Sequence, residues 1–280
     1  MREFLVPDNF NKTYVSTYNT GVMMAGINEV FPNPTVKVVV FQIRFPNLFY
    51  LESRMGDFQI KIMKEFPKSA LLIKKQIIFA DPNPSTNQED LGKGIQSDPL
   101  QKIWQFENEK KITLNITNQS LDLVSEYHKT YNNSSKDENF RDTIDSVVKA
   151  FLETMGLPII NRIGIRYIDH CPIPSKETQE FNEWYNSILP LGRFPLTKAI
   201  GMDSACVIRE DGINIRYSES FQQSEENENI LILDFDAFAM DILSNEFLEI
   251  TDKLHRRISD EYNLTIKKPV REFMRRNIEK

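Results

Sequence analysis

Polar and apolar positions alternate most cleanly over Asn161–Asp169. Ile163, Ile165 and Tyr167 fall on one side of an extended chain, and Arg162, Gly164, Arg166 and Ile168 on the other. That is the pattern of a strand with one apolar face. A related word, aliphatic then Arg then aromatic, occurs at Ile43-Arg44-Phe45 and at Ile215-Arg216-Tyr217. Val36–Phe45 is apolar enough for a central strand, and Pro46 closes it. Phe58, Ile62 and Phe66 lie four apart, so a helix is expected over about 54–66 with Pro67 as its stop. Leu71–Phe79 reads as a second strand, and 81–101, rich in Pro, Gly, Asn and Ser, as a long exposed loop.

Short strands are expected over 103–106, 111–116 and 120–127. Ser135 and Glu138 have the spacing of a capping box. Behind them Phe140, Ile144, Val147, Val148, Phe151, Leu152 and Met155 form a helical stripe, closed by Gly156 and Pro158. After the strand at 162–169 the order of elements recurs. A helix is expected over 177–188, a hairpin over 204–209 and 213–218 turned at Glu210-Asp211-Gly212, and a polar loop over 222–229. A buried strand over 230–235 then leads to a long helix carrying Phe247, Ile250, Leu254, Ile258 and Tyr262. The expected fold is α+β, with two similar halves of strand, helix, antiparallel strands and long helix forming one curved-sheet body packed with helices. Its parts are an N-terminal arm (1–31), a first half (32–158) and a second half (159–280).

Composition narrows the class further. Hydrophobic residues make up 40% and charged residues 26%, ordinary for a globular chain, and 19 Phe with 9 Tyr suit sheet. The net charge of −6 lacks the cationic excess that coats nucleic acid or anionic membranes. Cys171 and Cys206 are the only cysteines and form no C-x-x-C pair; the start has no secretory pattern. A reduced, soluble, cytoplasmic protein is expected.

Three stretches carry a resemblance: Pro34–Phe45 ending in FQIRF, Ile160–Ile168, and Leu231–Asp236 ahead of a helix bearing Leu254-His255 and a Thr265 segment. Together they resemble a sporadically distributed family of uncharacterised bacterial and archaeal proteins, over about residues 32–275. The resemblance implies no established activity, catalytic residue or cofactor. A patchy distribution of this kind is shared by mobile and defence-associated genes, whose products often act beside a protein partner encoded nearby.

The residues offer three candidate chemistries. Arg44, Arg166 and Arg216 sit at like points of strand words. They form either an Arg–Asp ladder across strands or a guanidinium-lined pocket for an anionic ligand, the ladder being the commoner arrangement. Asp234 and Asp236 alternate with Leu233 and Phe235, and a D-x-D at a strand end suits a divalent metal acting on phosphorylated or nucleotide substrates. Lys267, Arg271, Arg275 and Arg276 make a basic C-terminal strip, read as a solvated helix end or as a phosphate-contacting surface for nucleic acid. His128, His170 and His255 fit no zinc spacing; His170 and Cys171, adjacent on a strand, point to opposite faces. No Gly-rich phosphate loop is present. The leading expectation is a non-catalytic binding or regulatory partner protein of an accessory system. The metal-dependent enzyme and the nucleic-acid binder are its rivals.

Overall fold

A computed structural model describes residues 30–74, 101–133, 139–223 and 229–276. Residues 1–29 of the expected arm, the 81–100 loop, the Ser135/Glu138 capping pair and most of the 222–229 loop lie outside the described residues.

The protein is α+β. Among the described residues nine strands, all paired antiparallel, form one sheet in the order β2-β3-β4-β5-β1-β6-β9-β8-β7. In chain order these are β1 (Val36–Arg44), α1 (Leu51–Ile62), β2 (Lys68–Lys74), β3 (Gln101–Glu107), β4 (Thr113–Ile116), β5 (Ser120–Ser125) and α2 (Phe140–Met155). There follow β6 (Ile159–Pro172), α3 (Thr178–Trp184), β7 (Gly201–Glu210), β8 (Ile213–Gln223), β9 (Asn229–Leu243), α4 (Phe247–Thr265) and α5 (Lys268–Arg275). β1 and β6 meet at the centre in a register that sets Phe41 against Ile165, Ile43 against Ile163 and Gln42 against Gly164.

Period-two alternation gives the sheet two unlike faces. Phe41 and Ile43 of β1, Ile163 and Ile165 of β6, and Leu231, Leu233, Phe235 and Ala237 of β9 are all buried on one of them. The apolar stripes of the helices join the same core: Met55 and Phe58 from α1, Val147 and Phe151 from α2, Leu254 and Ile258 from α4. Phe58 sits edge-on to Phe106 and Phe151, with ring centroids 5.9 and 5.6 Å apart. Burying side chains of this size contributes roughly 1.5–3 kcal/mol each.

Several boundaries differ from expectation for visible reasons. β9 runs to Leu243 because the alternation of Asp234 and Asp236 continues through Phe238 and Met240. Between buried Ala239 and buried Ile242 it changes face at Asp241, whose φ is 53°. α3 stops at Trp184, where Tyr185 bridges Ile266 and the Asn186 amide donates to the Thr265 carbonyl. α1 starts at Leu51 and β2 at Lys68, each about three residues early. α2 starts at Phe140 after Asn139. The β7–β8 turn has positive φ at both Asp211 (50°) and Gly212 (77°), as the tight hairpin requires.

Candidate functional site

The face of the sheet opposite the core carries the arginines and aspartates that the alternation assigned to it. Arg166 donates through Nε and Nη2 to both oxygens of Asp234, at 2.7 and 2.6 Å. Arg44 Nε donates to Gln42 Oε1 at 2.8 Å, and Gln42 in turn donates to Asp122. Arg216 stands opposite Asp236 across the β8–β9 pair and is exposed. The hub is a residue not singled out from sequence, Arg162. Its guanidinium donates to Gln42 Oε1 and to both oxygens of Asp236, all at 3.0 Å, and lies 4.5 Å from the Phe238 ring centroid. It rests across Gly164, where a Cβ would stand 2.8 Å from Nη1. Arg166 thus ends in a carboxylate across the β6–β9 pair, and Arg44 in Gln42 on its own strand.

Asp234 and Asp236 lie mid-strand, each held by an arginine, and not at a strand end. Among the described residues no group of three or more His, Cys, Asp or Glu could hold a metal ion. The C-terminal strip is used to pin α5. Lys267 Nζ donates to the Asn182 carbonyl and Arg271 Nη2 to Asn263, while Arg275 lies over the Phe31 ring. Arg276 is exposed just beyond α5. No helix among the described residues is long and apolar enough to cross a membrane. His170 is exposed and Cys171 buried, so the two do not meet.

The geometry of a binding site appears on the core face, where β6 stops being apolar. Beyond Ile163 and Ile165 the inward positions become Tyr167 and Asp169, and a buried carboxyl at a core position is informative in a way that an exposed one is not. A cavity of about 180 Å³ lies over them. Its walls are α4 (His255, Ile258, Ser259, Tyr262), the segment entering β1 (Phe31, Pro34, Thr35), the chain after β5 (Lys129–Asn133) and Met274 of α5. Asp169 is 5% exposed, and Thr35 Oγ1, 2.8 Å from Oδ1, is its one side-chain donor among the described residues. Thr35 Oγ1 lies 2.7 Å from the Tyr262 hydroxyl. Burial pushes the Asp169 carboxyl up to about 7, against the pull of Thr35 and the charge of Lys129.

A relay of polar groups fixes the wall opposite. Arg141 donates from Nε and Nη2 to the two oxygens of Asp252 at 2.8 and 2.9 Å, and Tyr131 donates its hydroxyl to Asp252 at 2.6 Å. Tyr131 stacks on His255, ring centroids 3.9 Å apart, and His255 Nδ1 shares a hydrogen bond with the Tyr167 hydroxyl at 3.0 Å. Burial holds His255 down to about 4, so the ring is neutral near pH 7. Burial likewise lifts Tyr131, Tyr167 and Tyr262 above the ordinary tyrosine range.

None of this cluster had a spacing to betray it. Thr35 and Asp169 are 134 residues apart, and they meet because β1 pairs β6 with a register shift between Val36 and Val38. The available signal was Asp169 itself, an acid continuing the inward-facing series of a buried strand. Comparisons with protein-family models, with curated proteins and with solved structures return no match.

Proposed function

We propose that this chain is a non-catalytic binding protein whose recognition site is the cavity between α4 and the end of β6. The observation that carries this reading is Asp169, a carboxyl at the cavity floor with a single side-chain donor among the described residues. Buried polar groups are normally satisfied by the protein itself. A carboxyl left under-satisfied beside open volume is suited to completion by a ligand, and a concave, largely apolar site with a few convergent polar groups is the usual form of a small-molecule pocket. On the other face Arg162 and Arg166 hold Asp236 and Asp234, and Arg44 holds Gln42, while Arg216 is exposed. In this view the chain is a sensor or regulatory partner of a bacterial or archaeal accessory system, and ligand uptake changes how firmly α4 and α5 are held against the sheet.

The strand order supports a second part of the proposal, descent from a duplicated unit. β1 and β6 are the first strands of their halves and meet at the centre; the last strand of each half, β5 or β9, lies beside its own first strand.

The test is thermal unfolding of the wild type and of Asp169→Asn against a panel of small polar compounds. Compounds that raise the wild-type midpoint by several degrees and leave the variant unmoved support the site. A panel that stabilises neither protein, or both equally, removes it.

A further inference from the structure

The geometry points to an organic ammonium ion as the ligand, an inference that rests on the cavity being the recognition site. Four aromatic rings line the cavity, those of Phe31, Tyr131, Tyr167 and Tyr262, and the carboxyl of Asp169 closes its floor. Aromatic faces attract a cation through the ring quadrupole, most strongly where water is excluded. The carboxylate supplies the full countercharge, and among the described residues it carries only the Thr35 hydroxyl as a side-chain donor.

The cavity's own cations meet that demand only in part, since the charge of Lys129 reaches Asp169 while its ammonium is held by backbone carbonyls. Lys129 Nζ donates to the carbonyls of Val36 and Glu126, at 3.1 and 2.8 Å. His255 is buried and neutral, with Nδ1 engaged by Tyr167. Arg141, in the wall behind, is bidentate to Asp252. An ionised Asp169 is therefore only partly compensated, by the charge of Lys129, and burying a carboxylate without a full countercharge is costly. A neutral or anionic ligand leaves that deficit; a small ammonium cancels it and sets its alkyl groups against the rings. The volume, about 180 Å³, is well above the ~10–15 Å³ that a single water requires.

The pH dependence has one source. The groups facing Asp169 are Thr35 from the segment entering β1, Tyr262 from α4, Tyr167 and Cys171 from β6, and Lys129 from the chain after β5. Burial keeps the tyrosines and Cys171 above their ordinary ranges and His255 well below neutrality. Asp169, at about 7, is the group that titrates across neutrality.

The experiment is isothermal titration of the full chain with three ligands of one shape: choline, its neutral isostere with carbon in place of nitrogen, and the tert-butylacetate anion. Choline is expected to bind at least about tenfold more tightly than the isostere, and to weaken by about tenfold between about pH 8 and pH 6 as Asp169 takes up its proton. Its binding should be lost in Asp169→Asn; because that comparison depends on a folded variant, the isostere comparison in the wild type stands without it. Equal or tighter binding of the isostere or the anion overturns the ammonium assignment and leaves the cavity in place. If all three fail to bind while the wider compound panel stabilises the wild type, the ammonium assignment alone is lost. If that panel is silent as well, the cavity reading falls with it.

Discussion

At the residue scale, Asp169 and His255 place opposite demands on stability, and the signs are separable. Asp169 keeps its proton in the folded chain up to about pH 7, whereas its ordinary value is 3.8. Its contribution is complete below about pH 4 and declines as pH rises toward 7. His255 refuses its proton until about pH 4 against an ordinary 6.5, so its contribution is present above about pH 6.5 and is lost as pH falls. Between about pH 4 and 6.5 the two oppose each other, and the wild type should be flatter there than either variant. Asp169→Asn is expected to gain on the wild type as pH rises from about 4 to 7, by up to about 4 kcal/mol. His255→Phe keeps the stacking surface for Tyr131 and loses the bond to Tyr167. It should cost about 1 kcal/mol near neutrality and steepen the decline between about pH 4 and 6.5. Denaturant titrations at several pH values measure both slopes; parallel wild-type and variant curves would show that neither group is perturbed by burial.

At the element scale, the polar ladder makes a coupling prediction. Arg162 holds Gln42 and Asp236 by lying across Gly164, so Gly164→Ala must move the guanidinium rather than the backbone. Arg162 is largely covered, its side chain 16% exposed, and the loss of its bonds should cost about 1–2 kcal/mol. On an Arg162→Ala background the same glycine change should cost nearly nothing, and a double-mutant cycle reads the difference. Additive costs would mean that the contact across Gly164 is unimportant. Arg166, whose side chain is 43% exposed, is screened, and Arg166→Ala should cost no more than about 1 kcal/mol. The two thiols test which face is which: Cys171 is buried in β6 and Cys206 is exposed on β7, so one thiol per native chain should react promptly with a thiol reagent.

These elements also mark how far the sequence could be read. The face assignment of Arg166, Asp234 and Asp236 was legible, because period two depends on neighbours in the chain alone. The end of β9 was not, because its continuation through Ala237–Met240 resembles buried apolar chain of either kind. Arg162 was legible as an outward residue but not as a hub, since its partners lie on β1 and β9. The cavity was least legible of all. Its carboxyl, hydroxyl and rings come from four separate segments, and only the pairing of β1 with β6 under α4 brings them together.

At the scale of the whole molecule, the sheet runs unbroken across β1 and β6, and one core serves both sides. Cooperative unfolding follows from that continuity. The two tryptophans report on opposite sides, Trp104 on β3 and Trp184 at the end of α3. Trp104→Phe and Trp184→Phe leave one reporter each, and fluorescence from the two should give the same denaturation midpoint after allowance for each variant's own stability. Two separated transitions would contradict a single cooperative body. The cavity belongs to this scale too, since α4, α5, β6 and the segment entering β1 must all be in place to form it. Its role is tested most directly by isotope-filtered NMR on the chain saturated with whichever compound stabilises it most. Intermolecular contacts from that compound to the ring protons of Tyr131, Tyr167 and Tyr262 are the expected result; contacts to Phe238 on the opposite face, or to none of these rings, would contradict it.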